Sequence, residues 1–334
     1  MPLFTPTLSW FNLIINPSAL IRQRGTSFAS GAIQYTLDRW KFRRKNATAN
    51  ATVTRTTGFS GSQFCARVSR DVGNAVTDDL YYVQQIETIN CYQVQGQPAF
   101  YVGADLRCGA NFSDAASSVI CTVFTGTGSN ETVNPETGFA TGNVTTAIAK
   151  VISTTAQRQV FGPFNIPSNA TEIAVMFSFT PVGVAGAADY FEVVRVSAGN
   201  LFSALNFYER PITQELEFCQ RYFDMNFPQG TTPVQNLGSG LYQFAAQIAG
   251  AASQRSSNIP FRVTMRTNPT ITLYNPNAAN AQVRDAIAAA DCSSSTVVLN
   301  SSNSAFCVNC TGAAGTAVGN SLQVNWTADA EIGP

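Results

Sequence analysis

The clearest pattern in the chain is alternation. Ile173, Val175, Phe177 and Phe179 are apolar at every second position, the repeat of a pleated strand whose successive side chains point to opposite faces. Short β-branched or aromatic runs recur from residue 51 to 196, separated by clusters of Gly, Asn, Asp or Pro. They predict strands over 51–56, 64–70, 81–86, 99–107, 118–125, 145–151, 158–165, 172–180 and 190–196, with one more over 35–40. Antiparallel strands at even spacing, with no helices between them, predict an all-β fold, most simply a jelly-roll β-sandwich. The Gly/Thr/Asn-rich stretch 125–142 and the turn-rich stretch 181–188 read as exposed loops.

The stretch from Phe207 to Phe223 breaks the alternation. Ile212, Leu216, Cys219 and Phe223 fall at helical spacing, and Phe218 and Tyr222 make a second stripe beside them. Pro211 suits a first turn, Glu215 and Glu217 sit where the helix dipole favours negative charge, and Arg221 sits near the other end. A short helix with two apolar stripes needs partners on two sides, so it reads as a joint. Strands resume at 241–248, 261–266, 270–274, 296–299, 305–308 and 322–327, with room for a helical turn in the Ala/Asn-rich 275–291. The predicted organisation is an N-terminal arm (1–27), a β-sandwich (28–210), a short helical joint (211–225) and a second, smaller β domain (226–334). The arm is apolar over residues 1–13, where Phe4, Trp10 and Phe11 call for a surface to lie on.

Composition narrows the function. Hydrophobic residues make up 45% of the chain, enough for packed cores, but charged residues only 12%, with net charge +0. No basic field exists to hold nucleic acid. No apolar run is long enough to insert in a membrane, and the first residues lack the basic start of a signal peptide. Histidine is absent, which removes Ser-His-Asp and Cys-His machinery and His metal sites. Carboxylate pairs remain open to a glycosidase, yet Asp78 and Asp79 are adjacent, would diverge on a strand and are fixed by nothing in a loop, and no constellation in the sequence reads as catalytic. The expectation is a protein that is not an enzyme. The eight cysteines read mostly as small buried hydrophobes. Cys307-x-x-Cys310 is the exception: with Cys292 it supplies three of the ligands of a zinc site but lacks a completing residue, so it reads as a loose thiol pair. Asp38 and Arg39 beside Trp40 read as a local ion pair next to a buried indole.

Several segments together carry a resemblance. They are Ile15-Asn-Pro-Ser, Gln23-Arg-Gly-Thr-Ser, Tyr35-Thr-Leu-Asp-Arg-Trp40, Tyr82-Val-Gln-Gln-Ile-Glu87, Phe177-Ser-Phe-Thr-Pro181, Gly186-Ala-Ala-Asp-Tyr-Phe-Glu192, Phe207-Tyr-Glu-Arg-Pro211, Cys219-Gln-Arg-Tyr-Phe223, Pro260-Phe261, Met265-Arg-x-x-Pro269-Thr and Trp326-Thr-Ala-Asp-Ala-Glu331. In order and spacing this set resembles the receptor-binding and fibre proteins of tailed bacteriophages, with their carbohydrate-binding-module-like sandwich and C-terminal β domain. The resemblance implies a virion protein, a tail or head fibre, assembled in the host cytoplasm and exposed on the particle. It would be a homotrimer, bound to other phage structural proteins through its arm, with a host surface glycan as ligand. The alternative is a capsid decoration or tail adaptor with a purely architectural role. Where such relatives often carry a Gln-Leu-Glu run after the last sandwich strand, this chain has Arg195-Val-Ser197.

Sugar binding on a β-sandwich calls for aromatic faces ringed by amide and charged groups. Tyr81, Tyr82, Gln84 and Gln85 offer both on one strand, one tyrosine inward and the other outward; Tyr92 and Gln93 follow after a turn. The competing reading of each is plain sheet packing. Asp189 and Glu192 flank the last sandwich strand, where jelly-roll carbohydrate modules often hold calcium; a plain surface strand end with two carboxylates is the cheaper reading, and no cofactor is expected.

Overall fold

The computed structural model describes residues 12–299 and 303–333. Phe4, Trp10 and Phe11 of the expected arm lie outside the described residues. The chain forms two compact units, one built from residues 12–21, 26–212 and 332–333, the other from 22–25 and 213–331.

The first unit is a jelly-roll β-sandwich. Its strands are β1 (Ser27–Ala29), β2 (Gln34–Tyr35), β3 (Lys41–Arg44), β4 (Ala51–Thr57), β5 (Phe64–Arg70), β6 (Leu80–Ile86), β7 (Phe100–Cys108), β8 (Ser118–Gly126), β9 (Gly142–Val151), β10 (Gln157–Phe164), β11 (Glu172–Phe179) and β12 (Tyr190–Gly199). A one-turn helix, α1 (Thr88–Cys91), follows β6, and α2 (Leu201–Leu205) follows β12. One sheet runs β1-β4-β5-β12-β7-β10 and the other β2-β3-β6-β11-β8-β9, every pairing antiparallel. Alternate side chains of both sheets fill the space between them. Ile173, Val175, Phe177 and Phe179 of β11 meet Val53, Val68, Val102 and Phe191 of the facing sheet in one continuous core. Trp40 stacks flat on Tyr82 with centroids 4.5 Å apart, and Phe161 meets Phe177 edge-on at 6.0 Å, the latter a T-shaped contact that aromatic quadrupoles favour.

Two local expectations need correction. The strand expected over 35–40 is a tight turn: Thr36 donates its N–H to the Trp40 carbonyl at 2.7 Å, and Arg39 takes a left-handed φ of 72°. The stretch 125–142 is not simply an exposed loop. Val133 and Phe139 are buried on the far face of the second sheet against Tyr81, Val83, Phe124, Ala174 and Met176.

The second unit begins at the helix. α3 (Ile212–Gln220) is shorter than the expected 207–223 and does not carry two apolar stripes. Its buried residues are Glu215, Cys219 and Gln220, while Ile212 is 59% exposed. Tyr222 and Phe223 are buried, but beyond the helix end. The strands are β13 (Phe223–Met225), β14 (Tyr242–Ala245), β15 (Ser253–Arg255), β16 (Ile259–Pro260), β17 (Thr270–Tyr274), β18 (Arg284–Asp285), β19 (Ala290–Asp291), β20 (Ser293–Leu299), β21 (Ala305–Thr311) and β22 (Ser321–Asp329). β22 pairs with β13, β14, β17 and β18, and β21 with β15, β16 and β20. Trp326, Phe306 and Phe261 form the centre of the core, with Phe306 and Trp326 edge-on at 5.1 Å.

No strand forms over 261–266, because the backbone there bonds outside a ladder: Arg262 donates its N–H to the buried Asp224 carboxylate at 3.0 Å. The stretch 275–291 holds the β18–β19 hairpin instead of a helical turn. Asp285 closes it by accepting N–H bonds from Ile287 and Ala288, a local side-chain alternative to helix.

Candidate functional site

The solvent side of the first sheet collects the sandwich's polar chemistry. Val53, Ala66, Val68, Phe191, Val193, Ala104 and Leu106 point into the core, so the residues between them point outward. The pairing sets Arg67 opposite Glu192, and Glu192 opposite Arg107, in one row across β5, β12 and β7. Glu192 is fully buried, and its Oε1 accepts from Arg67 Nε at 2.9 Å, Arg67 Nη2 at 2.7 Å and Thr56 Oγ1 at 3.1 Å. Its Oε2 accepts from Arg107 Nε. The Arg67 guanidinium lies 3.9 Å above the Tyr190 ring and that of Arg107 4.5 Å above Phe59, cation–π contacts in which both arginines stay partly exposed. Burial alone would lower the Arg107 pKa, but the Glu192 hydrogen bond and charge carry it above its ordinary value. Cys65, on the same face beside Thr56, is buried, and burial pushes its thiol up to about 11.

A second cluster sits one row along. Asp105 accepts from Arg158 at 3.1 Å and from Arg195 at 3.0 Å. A β-bulge in β12 between Val194 and Ser197 makes this possible. Arg195 occupies the bulge with a left-handed φ of 54°, a conformation that costs a non-glycine residue energy and re-aims its side chain. Arg158 is fully engaged, donating also to the Ala204 carbonyl and Ser197 Oγ. α2 seats against this end because residue 103 is glycine: a Cβ there would stand 2.1 Å from the Ala204 carbonyl oxygen. The Arg195-Val-Ser197 run is therefore the bulge and its anchor.

The expected glycan contacts fall elsewhere. Tyr82 is buried against Trp40, and burial raises its phenol far above the usual range. Gln84 pairs with the backbone of Ile15 through both amide atoms, at 2.8 and 2.7 Å. Gln85 accepts from Val133 N–H at 3.1 Å and donates to the Glu131 carbonyl, pinning the 125–142 segment. Tyr81 is 6% exposed beneath that segment and donates to Asp79. These four are structural residues, since a sugar reaches none of their faces. Tyr92 and Gln93 are exposed after α1. The two carboxylates named for calcium are both engaged by arginines. Arg70 holds Asp189 in a fully buried ion pair at 3.0 Å, and Glu192 is held by Arg67 and Arg107. Among the described residues no cluster of metal-ligating side chains occurs.

The CxxC expectation is corrected as well. The eight thiols are free and buried. Three residues apart on β21, Cys307 and Cys310 point to opposite faces. Cys307 bonds Asn258 at 3.0 Å, whereas the partner of Cys310 is Cys292. The hydrogen bond between them lowers the Cys292 pKa and raises that of Cys310.

The C-terminal unit holds a concavity of about 350 Å³ lined by Leu216, Gln220, Phe227 and Arg262 among others. Phe227 is 1% exposed and offers no ring face, so the pocket lacks an aromatic stacking surface.

No protein-family model matches the chain, and no curated protein matches it either. Among solved structures it is similar to the enzymatically active domain of bacteriophage CBA120 tailspike protein 4, at 10% identity and a TM-score of 0.34, over 56% of this chain and 21% of that one. It is similar to TmCBM61 in complex with β-1,4-galactotriose, at 10% identity and a TM-score of 0.32, over 57% of this chain and 99% of that one. A third is the K1 cleaved adhesin domain of Lys-gingipain from Porphyromonas gingivalis W83, at 13% identity and a TM-score of 0.31, over 53% of this chain and 99% of that one. At these TM-scores the likenesses carry no argument; the sandwich assignment stands on the strand pairing itself.

Proposed function

We propose that this chain is a non-enzymatic virion protein of a tailed phage, a tail or head fibre that binds host surface carbohydrate on the outer face of its first sheet. The observation that carries the reading is the row Arg67–Glu192–Arg107 with Tyr190 and Phe59 against the two cations. A sugar presents C–H faces to aromatic and guanidinium planes and hydroxyls to fixed donors, and this row combines both on a rigid sheet. The ordered motifs described from the sequence support the phage setting. In that setting the first 27 residues attach to other phage structural proteins, and a homotrimer repeats a weak site often enough for avidity to hold a cell.

The test is the full-length protein on an array of bacterial surface glycans, together with competition by the same protein for phage adsorption to host cells. Binding to a restricted set of glycans, weakened by R107A, is expected. Binding to none, or glycan binding indifferent to R107A and R67A, overturns the assignment of the site.

A further inference from the structure

We infer that the ligand of this face is an anionic glycan, one that carries carboxylates along its chain. The inference rests on the glycan reading above and names the class of sugar.

Four arginines and two carboxylates meet here, an excess of two positive charges in a chain whose total is +0. Their layering matters more than their number. The carboxylates lie beneath, with side chains 0% exposed for Glu192 and 4% for Asp105, whereas Arg67, Arg107 and Arg195 remain 33%, 32% and 29% exposed. Solvent therefore meets the cations, and the buried anions fix their orientation.

The guanidiniums also keep unused donors. Among the described residues, Arg67 donates through Nε and Nη2, Arg107 through Nε, and Arg195 through Nη1. Arg67 Nη1, both terminal nitrogens of Arg107, and Arg195 Nε and Nη2 have no protein acceptor, yet none is among the buried unpartnered atoms. These donors are open to solvent and held in place. A planar fork with free N–H groups matches a carboxylate in two parallel bonds, a geometry that a hydroxyl cannot use as fully. With strands about 4.8 Å apart, Arg67 and Arg107 arise roughly 10 Å from each other at the backbone, and both heads converge on the one Glu192 carboxylate, which gathers their free donors at a single place.

The experiment uses the full-length protein and an array of uronate- and sialate-bearing glycans, each printed beside its carboxyl-reduced counterpart, which keeps the backbone and loses the charge. Binding should concentrate on the acidic members and fall about tenfold or more on reduction, as charge-assisted bonds are lost. It should weaken as NaCl rises from about 50 to about 300 mM. R107A should reproduce the loss. R107K, which keeps the charge without the fork, should recover only part of the binding, and thermal melting of both variants excludes unfolding as the cause. Equal affinity for acidic and reduced partners, or preference for neutral glycans, overturns the anionic assignment and leaves the glycan reading standing. Binding to no glycan of either kind overturns both.

Discussion

Arg195, held at a φ of 54° in the bulge of β12, places its guanidinium 3.0 Å from Asp105 Oδ2 on the neighbouring strand. The strained backbone and the ion pair belong together: a regular strand would give Arg195 the opposite parity. Replacing it with glycine removes a left-handed penalty of about 1–2 kcal/mol and a part-exposed ion pair worth ~1 kcal/mol or less. R195G should thus melt close to the parent protein, while R195A, which keeps the strain, melts lower. Both should bind glycan more weakly. Calorimetric melts beside array binding check the split.

The two candidate tyrosines separate cleanly. Tyr82 is 1% exposed and stacked on Trp40, whereas Tyr92 is 54% exposed. Y82A should cost about 3 kcal/mol or more through the cavity it leaves, and Y92A less than ~0.5 kcal/mol. Denaturant titration of the two variants measures both.

Asp189 and Arg70 are each 0% exposed and paired at 3.0 Å. D189A strands a buried cation and should destabilise the sandwich by about 3–5 kcal/mol. Since arginines already hold the Asp189 and Glu192 carboxylates, calcium or a chelator should leave the parent melting temperature unchanged. A rise on adding calcium would restore a metal site that this geometry does not provide.

Asp285 gives the C-terminal unit an acid-sensitive turn. Burial opposes its charge, but N–H bonds from Ala288 and Ile287 and the Asn320 amide outweigh burial and lower its pKa. A carboxyl depressed in the folded state stabilises above its unfolded value, near ~3.9, and loses that contribution as pH falls through the folded value. The stability gap between parent and D285N should therefore be full at neutral pH and shrink below about pH 4. Urea unfolding across that range gives the answer.

Cys292 and Cys310 interact in the C-terminal core, 2% and 3% exposed. If a disulfide-donating oxidant such as oxidised glutathione joins any pair, peptide mapping should find Cys292–Cys310 and not Cys307–Cys310. C310S should abolish the crosslink, while C307S should leave it intact.

Alternation made most of the sandwich legible because one face of each strand meets a shared core. The expected 64–70 matches β5 at both ends, and 172–180 matches β11 to within one residue. The turn at Thr36–Trp40 was hidden because a strand signal is local, whereas the turn depends on Arg39 taking a left-handed conformation. Tyr82 and Gln84 misled for a related reason: composition marks them as sugar-binding types, but register decides which face they occupy. The arginine row was harder still. Arg67, Arg107 and Glu192 are spread over more than a hundred positions and meet only through strand pairing. Its one trace in the sequence was charge at alternate positions of otherwise apolar strands, as with Asp105 and Arg107 around the buried Leu106.

The segment carrying Val133 and Phe139 roofs the far side of the second sheet. A sandwich roofed on one side has a back and a front. Whatever meets the arginine row must come from the front, over the part of that sheet that α2 leaves uncovered.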